Sequence, residues 1–126
     1  MRKLHLLMLA AVMIPLAAFA HHSTAAFDMQ HPAMLTGTIK SFIWANPHSQ
    51  VVLIVPDGHG GTDDWDLTGS SVASLVQQGY TTETLKPGMK VRLQIAPRKD
   101  GTHGGEFMRI LGVESGGRFI MPPGVH

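Results

Sequence analysis

The sequence predicts an all-β fold built as one small domain, and three observations carry that prediction. Val91, Leu93 and Ile95 alternate strictly with Arg92 and Gln94, the period of a strand with one buried face. "SQVVLIVPD" (49–57) is a β-branched apolar run closed by Pro56 and Asp57, the composition of a strand bounded by a turn and buried on both faces. Cysteine is absent, so neither disulfides nor thiolate-held metal can replace a hydrophobic core, and about a hundred residues suffice for one such core.

The first twenty residues stand apart from this domain. Met1-Arg2-Lys3 precedes an apolar stretch from Leu6 to Ile14, then Pro15 and the small-x-small triplet Ala18-Phe19-Ala20. That is the layout of a secretory signal peptide, and the stretch is well short of the ~20 residues that span a bilayer. Cleavage after Ala20 leaves 106 residues with no membrane span and removes Arg2 and Lys3, so eight basic residues face nine acidic ones and the net charge passes from +1 to −1. The expected location is the periplasm. The remaining basic residues are scattered with no aromatic-interleaved stripe, which argues against nucleic acid as a partner.

Residues 21–33 show no period and read as an N-terminal arm. "MLTGTIKSFIWAN" (34–46) mixes Leu35, Ile39 and Ile43 with Thr and Ser and ends at Asn46-Pro47, a strand running into a turn. After the 49–57 strand, "DGHGGTDD" (57–64) is a turn by its glycines and aspartates, and "DWDLTG" (64–69) is a short third strand. "SSVASLVQQG" (70–79) is the one convincing helix: Ser70 or Ser71 caps it, Val72, Leu75 and Val76 share a face, and Gly79 ends it. "LKPGMKVRLQIAPRKDG" (85–101) is a turn at Pro87-Gly88 and a fourth strand, and "GEFMRILGVES" (105–115) a fifth. The tail from Gly116 either adds a short strand or trails off.

The order β-β-β-α-β-β is that of an OB-like barrel, five strands with one helix between strands 3 and 4. A small open sandwich is the alternative, but so short a chain covers two large sheet faces poorly, and closure removes exposed edges. The division is then 1–20 signal peptide, 21–33 arm, 34–120 barrel domain and 121–126 C-terminal tail.

Seven histidines survive the cleavage, and His21, His22 and His48 have spacing that points to chemistry. As the mature N-terminus, His21 offers its α-amine and its own imidazole Nδ1 to one metal ion, and a third nitrogen from another histidine completes a T-shaped set. Planar amine and imidazole donors suit Cu(II), which also tops the divalent affinity series. The amine, with a reference pKa of about 7.7–8.0, gives up its proton to a metal near neutral pH at little cost. His22 offers a second route through its amide and ring. His48 is the expected third ligand, because Pro47 fixes the backbone before it, with Asn46 or Ser49 holding the second ring nitrogen. Against this stand two plainer readings: terminal histidines bind copper weakly in almost any peptide, and Asn-Pro-His is a turn whose polar groups satisfy one another or pack on Trp44 or Trp65.

Other constellations are weaker. "DMQHPAM" brings Met29, His31 and Met34 together, but methionine more often fills gaps in small cores. "DGHGGTDDWD" lacks the ligand spacing of a calcium loop, "GHGG" and "HGGE" lack the Lys-Ser/Thr of a phosphate loop, and "TGSS" is no nucleophile elbow.

"HHS" (21–23), "TGTI" (36–39), "NPHS" (46–49), "WDL" (65–67), "LKPGMKV" (85–91) and "PRKDG" (97–101) together resemble a family of small exported bacterial proteins, domain of unknown function family 6152, over roughly His21 to Ile120. The resemblance implies export, a compact β-rich domain and special roles for His21, His22, Asn46, Pro47 and His48, and implies no activity. The chain departs from the family pattern after the tryptophan: a glutamate is expected two or three residues on, where "WDLTGSS" has Thr68 and Gly69. Asp64 or Asp66 would have to replace it.

The expected function is therefore an exported periplasmic metal-binding protein, with copper held by His21, His22 and His48, and with the metal ion and another periplasmic protein as partners. The alternative is a metal-free OB-like module that binds a peptide, saccharide or partner protein through aromatics near Trp44, Trp65 and Tyr80. A terminal histidine brace also holds copper in oxidative enzymes, but the sequence offers no substrate platform, so no enzymatic activity is expected.

Overall fold

The computed structural model describes residues 24–126, so the signal-peptide reading, His21 and His22 lie outside the described residues. A short 3-10 turn, Thr24–Ala26, leads to six strands: β1 (Ala33–Ile43), β2 (Gln50–Pro56), β3 (Thr62–Thr68), β4 (Lys90–Pro97), β5 (Gly104–Ser115) and β6 (Arg118–Ile120). One helix, α1 (Val72–Gln77), joins β3 to β4. They form one sheet in the order β3-β2-β1-β4-β5-β6, with antiparallel neighbours throughout. A further, parallel pairing sets Asp66, Leu67 and Thr68 of β3 against Gly104, Gly105 and Glu106 of β5. The pairings thus run from β3 through β2, β1, β4 and β5 back to β3.

Period-2 alternation places the core. Val91, Leu93 and Ile95 of β4 are fully buried, as are Val51 and Leu53 of β2 and Leu67 of β3. Ile39, Leu75, Tyr80, Leu85, Phe107 and Ile110 complete the cluster. Val52 and Ile54 are only half-buried, so β2 is not covered on both faces as its unbroken apolar run suggests. Polar pairs link the strands here instead: Lys40 of β1 donates to Asp64 of β3, and Gln50 of β2 donates to Asp66 of β3, each at 2.5 Å.

The helix is shorter than its apolar spacing implies. Only Leu75 is buried, while Val76 is 59 % exposed, because six residues make fewer than two turns and bring a narrow stripe to the sheet. Ser71 is the N-cap, its Oγ accepting from Ser74 N–H at 3.3 Å. At the other end Tyr80 N–H reaches Leu75 O at 2.9 Å and Gly79 N–H reaches Val76 O at 3.0 Å, with Gly79 at φ +84°. This is the Schellman arrangement that glycine favours.

Tyr80 is itself 3 % exposed. Its hydroxyl accepts from Ile110 N–H at 3.4 Å, and its ring meets Phe107 edge-on at 6.1 Å. The sequence-based placement of Tyr80 on an exposed aromatic face is therefore corrected: a hydroxyl with a partner in reach lets the ring enter the core.

Both ends of the described chain are tied down. Asp28 N–H donates to Pro97 O at 2.8 Å and Lys99 N–H to Ala26 O at 3.0 Å, which lays this part of the arm along the end of β4. Gly116 and Gly117, both at positive φ, form the tight turn from β5 to β6. The tail supplies that sixth strand and then returns to α1, where His126 N–H donates to Gln78 O at 3.1 Å.

Candidate metal centre at the Asn46-Pro47-His48 turn

The turn between β1 and β2 is fastened to the segment between β3 and α1. Gln50 and Thr68 are the last register pair of the β2–β3 ladder at this end. Beyond them Gly69 N–H donates to Ser49 O at 2.8 Å and Ser49 N–H donates to Ser70 O at 3.0 Å. The side chains on the turn continue the pattern. His48 Nδ1 lies 3.3 Å from Gly69 O, and Asn46 Oδ1 accepts from Val72 N–H at 3.0 Å, which satisfies a donor at the start of α1. The Asn46-Pro47 peptide bond is cis.

A carbonyl oxygen only accepts, so the His48 contact puts the ring proton on Nδ1. In the neutral ring the lone pair then sits on Nε2. His48 is at the surface, and its ring is oriented by a backbone oxygen, the usual way a protein fixes a metal-ligating histidine. Gly69 occupies the role expected of Asn46 or Ser49. Asn46 spends its oxygen on Val72, and Ser49, 1 % exposed, keeps its hydroxyl below the surface. Ser49 Oγ and Trp44 Nε1 are buried without a hydrogen-bond partner among the described residues.

The other described histidines are dispersed. His31 Nδ1 faces the Asp28 carboxylate at 3.0 and 3.1 Å, and its N–H donates to the same carboxylate at 3.1 Å. Desolvation works to raise the Asp28 pKa, but the hydrogen bond and charge of the His31 ring, with the N–H groups of His31 and Gln30, hold it below the usual carboxylate value. His103 stacks on Trp65, centroids 5.1 Å apart, with Nδ1 3.7 Å from Asp63. His126 Nδ1 lies 3.1 Å from Gly124 O. Among the described residues, no three His, Cys, Asp or Glu side chains are grouped so as to hold a metal ion.

The remaining motifs take structural roles. Asp57 accepts from His59 N–H at 2.7 Å and Gly61 N–H at 3.0 Å, an aspartate spent on its own turn. Met89 packs against the core and accepts from Lys86 N–H through sulfur at 3.3 Å. Met29 and Met34, flanking His31, are both exposed. Sequence reasoning passed over the Asp28–His31 pair, whose i, i+3 spacing was the available signal. It also passed over Gly69, whose contribution is a main-chain oxygen that any residue type carries.

No curated protein and no solved structure is significantly similar to this chain. A family profile, described as a family of unknown function, matches residues 9–107. The match takes in His21, His22 and the whole turn and stops within β5, short of the β6 hairpin and the tail. Over most of its length, therefore, the chain belongs to the DUF6152 family.

Proposed function

We propose that this chain is an exported, periplasmic metal-binding protein that holds copper through the mature N-terminus, His21 and His22, together with His48. The observation that carries this reading is the hydrogen bond between His48 Nδ1 and the Gly69 carbonyl. It gives a surface imidazole a fixed tautomer with its lone pair on Nε2, the donor a metal needs. The signal-peptide layout of residues 1–20 supplies the free amine, and an amine with imidazoles is a donor set suited to Cu(II). When bound, copper would unite the arm and the β1–β2 turn.

The ring of pairings among β1, β2, β3, β5 and β4 supports reading the domain as an OB-like barrel, with α1 between its third and fourth strands. The metal-free alternative draws less support. Of its three aromatics Tyr80 lies in the core, and Trp44 and Trp65 are partly buried against it.

Calorimetric titration of Cu(II) into protein beginning at His21 tests the proposal. Tight one-to-one binding is expected there, and its loss when one alanine precedes His21 or when His48→Gln removes the ring. Equal affinity in the processed and extended proteins would take the amine out of the site, and equal affinity in His48→Gln would take the turn out.

A further inference from the structure

We infer that Gly69 is the positioning residue for His48, and that it does so because the buried Ser49 hydroxyl occupies the space where a Gly69 side chain would stand. Its functional meaning rests on the metal reading above.

The geometry runs through three contacts on one short stretch. The reciprocal bonds Gly69 N–H to Ser49 O and Ser49 N–H to Ser70 O extend the β2–β3 ladder past its last register pair. The next acceptor in line, Gly69 O, meets the His48 ring in place of a main-chain N–H. What a Cβ at residue 69 would meet is the Ser49 side chain, since the Ser49 backbone oxygen would lie at an ordinary 3.6 Å. A Cβ there would overlap Ser49 Oγ, while the next atom, Ser49 Cβ, would lie at an ordinary 3.5 Å. Gly69 is buried and Ser49 is 1 % exposed, so in a close-packed interior a displaced hydroxyl would press on its neighbours, and the inference is that the strands part instead. Parting them withdraws the carbonyl from His48. Gly69 has no positive φ, so the requirement for glycine is one of room, not of backbone conformation.

The arrangement makes the Gly69 and Ser49 side-chain positions interdependent in a way a test can read. Gly69→Ala creates the overlap, and adding Ser49→Ala removes it. The ring tautomer of His48 is followed by nitrogen NMR of the metal-free protein at mildly alkaline pH, and Cu(II) affinity is measured on the same samples. The wild type is expected to show the Nδ1–H form. Gly69→Ala should lose that signature and about tenfold or more in Cu(II) affinity, and Gly69→Ala with Ser49→Ala should regain both. An unchanged tautomer in Gly69→Ala, an Nε2–H form in the wild type, or a double variant as impaired as the single one would overturn the inference. If the tautomer follows this pattern while no variant binds Cu(II), the positioning stands and the copper reading falls.

Discussion

The Gly124 carbonyl stands where a side chain on Gly79 would be. Gly79 thus answers two demands, its φ of +84° at the end of α1 and the passage of the C-terminal tail against its Cα. Gly79→Ala should therefore cost more than a helix C-cap alone. The left-handed conformation costs about 1–3 kcal/mol in a non-glycine residue, and the displaced tail also loses the Val125 packing and the His126–Gln78 hydrogen bond. Thermal melting reads the stability loss, and faster hydrogen exchange at the His126 amide reads the release of the tail.

Tyr80 is the sole tyrosine, so tyrosinate absorbance follows a single group. Burial raises its pKa above 10.0, only partly offset by the Ile110 N–H that its hydroxyl accepts. The unfolded chain then ionises first, and the folded state binds the proton more tightly. The resulting stability is complete below the unfolded value and is lost as pH rises through the folded one. Denaturant melts should show an alkaline decline that Tyr80→Phe abolishes. That variant leaves the Ile110 N–H without its acceptor, at about 1–3 kcal/mol across the whole pH range.

The opposite sign applies to Asp28. Its lowered pKa means that the Asp28–His31 contact stabilises the fold above the ordinary carboxylate value of 3.8 and ceases to do so as pH falls through the depressed value. Carbon NMR of the Asp28 carboxyl should give a midpoint below 3.8 in the wild type. In His31→Ala it should move upward, and an unmoved midpoint would show that the ring does not hold the carboxylate.

The β5–β6 hairpin turns on Gly116 and Gly117, both at positive φ. Asparagine tolerates that conformation and Asn-Gly suits such a turn, whereas a β-branched residue does not. Gly116→Asn should leave the melting temperature unchanged within error, while Gly117→Val should detach β6. Loss of the Arg92 contact with the Phe119 ring, now 4.2 Å from its centroid, would report the detachment as altered Phe119 ring shifts.

The strands were legible where one rule governs them. Strict alternation placed Val91, Leu93 and Ile95 inside β4, and Gly79 marked the end of α1, while its cap was narrowed to Ser70 or Ser71 and is Ser71. Length escaped the same reasoning: Val76 matches the helical stripe, yet α1 ends before its face is covered. Three-residue β6 was left open because so short a strand has no period, although its Gly-Gly turn was visible in the sequence. At the turn, the side chain of His48 could be singled out, but not its partner. Which carbonyl meets a ring depends on the register of β2 against β3, which no local pattern encodes.

The parallel pairing of Asp66, Leu67 and Thr68 with Gly104, Gly105 and Glu106 also orders events in time. Hairpins such as β2–β3 join neighbours in sequence and form early, whereas this contact must wait for the helix, the long turn after it and both strands of the next hairpin. Such non-local closure is slow. Until residues 104–106 arrive, this end of β3 presents unpaired main-chain groups, a template for joining another chain. A chain ending before Gly104 should therefore self-associate, because it leaves this end of β3 without the partner that covers it.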